Sequence, residues 1–236
     1  MKTRIILFTI TILTVALATG CGVNLNVTRG SGNVITETRE VKDFSALKLA
    51  GAGDVMITQG ETESLTIEAE DNVMQRIRTE VQNGKLVIDF DSTQSRVLPT
   101  RPIRFNLAVK DLNTIELTGA GNITLPSLKT DRFTMHLSGA GNLKLDRLET
   151  TQAAFTASGA GNFDVSGQVD KQVVKLTGFG NYNGGNLASQ DSQVVISGAG
   201  NATVWAQSNL DARISGAGSI SYYGNPHTSR SVSGAG

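Results

Sequence analysis

The chain has 236 residues, of which 26 are glycine, 18% are charged and 5% are aromatic. Its 21 basic and 21 acidic side chains balance, so the charge gives no reason to expect nucleic acid as a partner. High glycine with low charge is more typical of an all-β or repeat protein than of a helical one. A hydrophobic content of 39% is enough to fill a core.

The N-terminus has the pattern of an export signal. Two basic residues precede an apolar run over 5–18, which is short for a membrane span and ends in small residues. Cys21, the only cysteine, follows at once, as in bacterial lipoproteins. The alternative is an ordinary secretory signal cut near Gly20, which would leave an unused thiol. We predict a lipoprotein signal at 1–20, lipidation of Cys21 and a short tether at 21–29.

The predicted cellular location follows from the same segment. Gly22 stands where an aspartate would indicate retention in the inner membrane. We therefore expect an exported protein that is bound to the cell envelope by the lipid on Cys21, in the outer membrane. The mature chain is nearly neutral, so a polybasic membrane patch is not expected.

A short glycine motif repeats through most of the chain. The tripeptide Gly-Ala-Gly or a close variant begins at Gly30, Gly51, Gly119, Gly139, Gly159, Gly178, Gly198, Gly216 and Gly234. Apolar and polar residues alternate on both sides of it, which predicts strands. About 20 residues are too few to return through a helix but enough for one coil of a solenoid, paired in parallel with the next coil. The sequence predicts a parallel β-helix of eight or nine coils, in one domain at 30–236.

The residue after each tripeptide is polar in most copies. Glycine supplies the positive φ of a sharp bend, and asparagine tolerates the left-handed region. We expect these side chains to stack as a structural ladder at one corner of the coil. Its predicted members are Asn33, Asp54, Asn122, Asn142, Asn162, Asn181, Asn201 and Ser219.

Residues 61–110 interrupt the repeat. The sequence predicts a short helix over 71–78, a hairpin at Asn83-Gly84, where a turn dipeptide separates two alternating runs, and a loop marked by prolines. We interpret the region as an irregular antiparallel decoration of the same core.

These features together resemble a known family. The segments 30–33, 44–47, 51–55 and 57–60, followed by the Gly-Ala-Gly-Asn array, are similar to the family named putative auto-transporter adhesin, head GIN domain. The resemblance covers essentially all of 30–236. It implies a right-handed parallel β-helix on an exported, often lipid-anchored bacterial protein. The adhesin name rests on analogy of fold, and fold does not fix function.

Residues suited to catalysis are scattered. His136 and His227 lack the spacing of metal ligands, the serines repeat at one structural position, and no carboxylate pair recurs in adjacent repeats. We expect no enzyme, no metal and no cofactor. A carbohydrate-active β-helix enzyme is the least favoured function.

Aromatic residues cluster in the later repeats and suggest a ligand patch. The patch comprises Phe179, Tyr182, Tyr222 and Tyr223, and Trp205 lies near the same coils. The alternative is that these rings pack in the core or at the end of the solenoid. We predict a non-enzymatic surface binding or adhesion module with an extracellular glycan or protein as partner. A second hypothesis is a structural envelope protein that self-assembles as a homo-oligomer through open β-helix ends.

Overall fold

The computed structural model describes residues 27–91 and 96–236. The chain is a β-solenoid of about 6 turns, 72% strand and with almost no helix. The first part of the described chain contains the elements β1 (Val27–Arg29), β2 (Val34–Arg39), β3 (Ala46–Leu49), β4 (Asp54–Gln59), β5 (Ser64–Glu70), α1 (Asp71–Met74), β6 (Ile77–Gln82), β7 (Lys85–Phe90), β8 (Arg96–Leu98) and β9 (Arg104–Val109).

The repeat region contains longer strands that bend around the corners of the coils. Its elements are β10 (Thr114–Leu117), β11 (Ala120–Leu125), β12 (Leu128–Lys129), β13 (Arg132–Leu137), β14 (Ala140–Ala157), β15 (Ala160–Leu176), β16 (Phe179–Ile196), β17 (Ala199–Ile214), β18 (Ala217–Tyr223) and β19 (His227–Val232).

Successive coils pair in parallel and in register with the repeat. Asn142 lies opposite Asn122 on one side and Asn162 on the other, and Asn162 lies opposite Asn181. The coil before the interruption stacks directly on the coil after it, because β3 and β4 pair in parallel with β10 and β11. The predicted parallel β-helix is confirmed.

Residues 61–110 extend two sides of the first coil. Strands β6 and β7 form an antiparallel hairpin, and positive φ at Asn83 (52°) and Gly84 (73°) confirms the predicted turn. Strand β7 then pairs in parallel with β3. Strand β5 runs antiparallel to β2 and β9, and β9 pairs in parallel with β4. The region is therefore a decoration of mixed pairing on the core of the solenoid. The antiparallel pairings of β5 and of the hairpin agree with the prediction, whereas β7 and β9 add parallel strands to the first coil.

The helix in this region is shorter than the sequence pattern suggests. It covers Asp71–Met74 rather than 71–78, because β6 begins at Ile77 and pairs with β7. In the described ranges, no helix is both long enough and apolar enough to cross a membrane.

The core lies inside the coils, where the alternating pattern places the apolar side chains. Leu117, Leu137, Leu176 and Ile196 occupy one inward column and are at most 1% exposed. An aromatic cluster fills the middle of the core, with ring centroids 5.1–6.4 Å apart in pairs. Its members are Phe133, Phe155, Phe163 and Tyr182.

Three sequence predictions need correction. The solenoid has about 6 turns rather than eight or nine. The copy at Gly30 lies outside the stack, because β2 after it pairs antiparallel with β5 instead of joining the parallel coils. Residues 27–29, the last part of the tether predicted at 21–29, form β1 and pair in parallel with β8. Cys21 and the signal at 1–20 lie outside the described residues.

Candidate ligand-binding groove

The predicted ladder forms at one corner of the coil, with one exception. In each step a side-chain donor reaches the Oδ1 atom of the residue one coil earlier. The donor–acceptor distances are 2.8 Å for Asn122 to Asp54, 2.8 Å for Asn142 to Asn122, 2.9 Å for Asn162 to Asn142, 2.9 Å for Asn181 to Asn162, 3.3 Å for Asn201 to Asn181, and 2.8 Å for Ser219 to Asn201. Asn33 does not belong to this ladder, because its amide donates to Asp71 Oδ2 at 3.0 Å.

The repeated glycines are required mainly because the backbones of neighbouring coils lie very close together, and less because glycine tolerates positive φ. A Cβ atom on Gly139 would overlap the carbonyl oxygen of Gly119, and one on Gly159 would overlap that of Gly139. In the repeat corners from residue 119 onward, positive φ is confined to Gly121 (151°) and Gly141 (156°). The corner is therefore scaffold, because its polar groups bind one another and its backbones lie against each other.

The predicted aromatic patch does not form as a single surface. Tyr182 is 1% exposed, because its position in the coil faces inward between Phe163 and Ala202. Its hydroxyl donates to Gln172 Oε1 at 2.9 Å, and burial raises the pKa of this hydroxyl well above its ordinary value. Tyr182 is thus a core residue and not part of a ligand patch.

The remaining aromatics of the patch are exposed but separated. Phe179 is 75% exposed at the corner, where it replaces the alanine of the repeat. Tyr222 and Tyr223 are 48% and 60% exposed at the other end of β18. Tyr223 lies opposite Trp205 in the preceding coil, and Trp205 is 38% exposed.

Trp205 and Tyr223 border a groove of about 530 Å³, which we call the aromatic groove. Neither Phe179 nor Tyr222 lines it. Its lining residues are Asn183, Gly185, Asn186, Thr203, Trp205, Tyr223 and Gly224. The volume is within the usual range for ligand sites.

A change of register between two coils creates the aromatic groove. Gly184 lies opposite Val204, but the next paired residue, Ala188, lies opposite Trp205. Residues 185–187 therefore bulge without partners in the following coil. The buried side chain of Leu187 holds the bulge to the core. Tyr223 reaches back over it, since a Cβ atom on Gly185 would lie 2.9 Å from Tyr223 Cε2.

The groove offers neutral polar groups beside its two rings. The Asn183 amide donates to Asp164 Oδ1 at 3.3 Å. Within the described part of the chain, the side chains of Asn186, Thr203, Trp205 and Tyr223 have no hydrogen-bond partner. They remain available to a ligand.

A buried polar network supports the groove from inside the solenoid. The Ser189 hydroxyl donates to the backbone carbonyl of Trp205 at 2.7 Å and lies 2.7 Å from the hydroxyl of Ser192. The Gln172 amide donates to both hydroxyls at 2.9 Å, and Gln172 Oε1 accepts from Tyr182. Gln172, Ser189 and Ser192 are at most 4% exposed. The network is satisfied and fixes the backbone that carries Trp205.

A second groove on the solenoid is larger but has no aromatic ring on which a ligand could stack. This groove of about 730 Å³ is lined by polar and charged side chains, among them Asp131, Arg132 and Glu149. Over residues 27–91 and 96–236, no three His, Cys, Asp or Glu side chains are grouped so that they could hold a metal ion. The aromatic groove is therefore the better candidate site.

Sequence reasoning missed Trp205 as a site residue, although two signals were present. The step from Gly198 to Gly216 is 18 residues instead of 20, which indicates that this coil departs from the register of its neighbour. Trp205 also stands at an outward position between two buried residues, Val204 and Ala206. A large aromatic at an outward position of a shortened coil marks the site.

Comparisons with solved structures give several close folds. A putative adhesin from Bacteroides fragilis is 26% identical, with a TM-score of 0.84 over 88% of this chain and 96% of that one. A putative adhesin from Parabacteroides merdae is 21% identical (TM-score 0.71, 89% and 97% covered). A putative lipid binding protein from Parabacteroides distasonis is 22% identical (TM-score 0.66, 89% and 97% covered). The last two, at this identity, support the fold alone.

The family comparison covers most of the described solenoid. No curated protein matches the chain. A family model described as putative auto-transporter adhesin, head GIN domain matches residues 43–226, well over half of the sequence. The match includes the decorated first coil, the ladder from Asp54 to Ser219 and the whole aromatic groove. The chain therefore belongs to the putative auto-transporter adhesin, head GIN domain family.

Proposed function

We propose that the chain is a non-enzymatic surface protein of the cell envelope that attaches to an extracellular partner through the aromatic groove. The observation that carries the proposal is the pair of exposed rings, Trp205 and Tyr223, on one open groove. Tryptophan and tyrosine supply a disproportionate share of binding energy at interfaces. The adhesin name of the family supports an attachment role.

The proposal includes a membrane anchor, a lipid on Cys21. A lipid on that residue would hold the protein at the membrane while the folded solenoid faces outward, in the outer membrane of a bacterium with two membranes. The support is the sequence pattern alone, an apolar signal segment followed at once by a single cysteine.

Attachment assays with matched variants test the role of the groove. Beads coated with the mature chain, made soluble by Cys21→Ser, should adhere to host-cell and matrix surfaces. The double substitution Trp205→Ala/Tyr223→Ala should reduce adhesion at least about tenfold, the usual effect of losing aromatic hot spots. Phe179→Ala is the matched control, because it removes an exposed ring outside the groove. Undiminished adhesion of the double variant would contradict the proposal.

A further inference from the structure

We infer that the ligand of the aromatic groove is a neutral glycan, bound with its sugar rings stacked on Trp205 and Tyr223. This inference rests on the proposed function, since it names the ligand class of the same site. It follows from three properties of the groove, namely its charge, its hydrogen-bonding groups and its rigidity.

The groove carries no charged side chain among its lining residues. One charged group contacts a lining residue, namely the carboxylate of Asp164, which accepts a hydrogen bond from Asn183. A negative charge at this place repels sulfated or carboxylated ligands, and a cationic ligand would find no carboxylate in the lining itself. Charge complementarity therefore favours a neutral ligand.

The polar groups of the groove match those of a sugar. A pyranose ring has apolar C–H faces and a rim of hydroxyls that both donate and accept. The electron-rich faces of Trp205 and Tyr223 suit the C–H groups. The amide of Asn186, the hydroxyls of Thr203 and Tyr223 and the indole N–H of Trp205 suit the rim, since their hydrogen-bonding capacity is unused.

The groove is held in its shape before any ligand binds. The Ser189 hydroxyl fixes the Trp205 carbonyl, and Gln172 fixes Ser189 from the core. Gly185 leaves room for the Tyr223 ring, which a Cβ atom would contact at 2.9 Å. Such preorganisation lowers the entropy cost of binding a flexible oligosaccharide. Gln172 and Ser189 are positioning residues for Trp205.

Intrinsic fluorescence gives a direct measurement, because Trp205 is the only tryptophan of the chain. The mature chain with Cys21→Ser is titrated with neutral polymers of α- and β-linked hexoses and N-acetylhexosamines, with hyaluronan and heparin, and with fibrinogen. We expect a saturable change in Trp205 emission with at least one neutral polymer and none with the anionic ones. Tyr223→Ala should weaken that binding at least about tenfold, and Phe179→Ala should leave it unchanged.

A pair of glycine variants separates loss of the site from loss of the fold. Gly185→Ala should push the Tyr223 ring aside and weaken glycan binding several-fold while the melting temperature stays the same. Gly60→Ala is the control, since a Cβ atom there meets nothing within 4 Å. Gln172→Ala should weaken binding and also shift the Trp205 emission of the free protein, because it loosens the backbone beneath the indole.

The outcomes distinguish the two proposals. If no neutral polymer changes the emission, or if only fibrinogen or the anionic polymers do, the glycan inference is overturned. The proposed function still stands in that case, provided that Trp205→Ala/Tyr223→Ala abolishes adhesion. If the double variant adheres normally, the proposed function itself fails.

Discussion

At each corner of the solenoid, two kinds of residue recur for different physical reasons. The asparagines are exposed and bind one another, so each bond competes with water and contributes modestly. The glycines lie where the backbones of neighbouring coils nearly touch, and there any side chain would meet a carbonyl group. The glycine column should therefore limit stability more than the amide ladder.

The same corner offers both substitutions for comparison. Asn162→Ala removes a donor to Asn142 and an acceptor for Asn181, so it should cost roughly 1–2 kcal/mol. Gly159→Ala places a Cβ atom against the backbone of Gly139, and overpacking against backbone should cost more than about 3 kcal/mol. Urea unfolding of the two variants measures the difference. A ladder variant as unstable as the glycine variant would show that the amides, not the close approach, limit the corner.

Among the elements, the ones predicted correctly have local signals. The strands of the repeat follow from period-two alternation, and the β6–β7 hairpin follows from Asn83-Gly84 between two such runs. The prediction that the copy at Gly30 begins a stacked coil is wrong, because a glycine bend can also lead into a strand that pairs antiparallel. Its strand β2 pairs antiparallel with β5, whose residues lie 26–36 positions away in the chain.

The candidate site was predictable only in outline. Aromatic residues of the later coils suggested a ligand surface, but whether a ring faces in or out depends on its register. The prediction that Tyr182 belongs to the ligand patch is wrong, because Tyr182 occupies the same inward position as Phe163 one coil earlier. The aromatic groove arises from unpaired residues 185–187, and a pairing mismatch between coils 20 residues apart has no local sequence signature beyond the shortened step.

A buried carboxylate joins the N-terminal segment to the decoration of the first coil. Glu70, at the end of β5, is 1% exposed and accepts hydrogen bonds from the backbone N–H groups of Gly32, Thr100 and Arg101 and from the Thr100 hydroxyl. Burial by itself would raise the pKa of Glu70, but these hydrogen bonds outweigh it and hold the pKa below its ordinary value of 4.5. Hydrogen bonds from Ser31 and Asn33 likewise lower the pKa of Asp71.

The lowered pKa of Glu70 predicts acid sensitivity of this junction. A carboxyl whose pKa is lower in the folded state stabilises the fold fully above its unfolded pKa. That stabilisation is lost as the pH falls through the folded pKa. Glu70→Gln should lower the melting temperature at pH 7, and the gap from the wild type should narrow below about pH 4.5. The exposed Glu80→Gln serves as control, and a gap that is independent of pH would contradict the assignment.

At the scale of the whole molecule, the decoration and the groove lie at opposite ends of the solenoid. The ladder joins Asp54 in the decorated coil to Ser219 near the groove in six steps. At about 4.8 Å per step, the two ends are about 29 Å apart. The first described strand, β1, pairs with β8 of the decoration, so Val27 lies at the end of the solenoid far from Trp205.

This arrangement predicts how an anchored molecule would present its groove. If Cys21 carries a lipid, residues 21–26 can reach at most about 21 Å, so the decorated end stays near the membrane. Bound to vesicles that contain brominated phospholipid, the lipidated chain should show little quenching of Trp205, because the groove points away from the bilayer. Glycan or other ligand added to the vesicles should still change its emission.

Two variants make the quenching experiment decisive. Moving the tryptophan to the anchored end, with Val27→Trp in a Trp205→Phe background, should produce clearly stronger quenching, since Val27 is exposed on β1. Cys21→Ser should leave the chain in solution and unquenched when the vesicles are separated by flotation. Equal quenching from both tryptophan positions would mean that the solenoid lies flat on the membrane, and flotation of the Cys21→Ser chain would mean that something other than the lipid binds it there. A groove held away from the bilayer is what attachment to another surface requires.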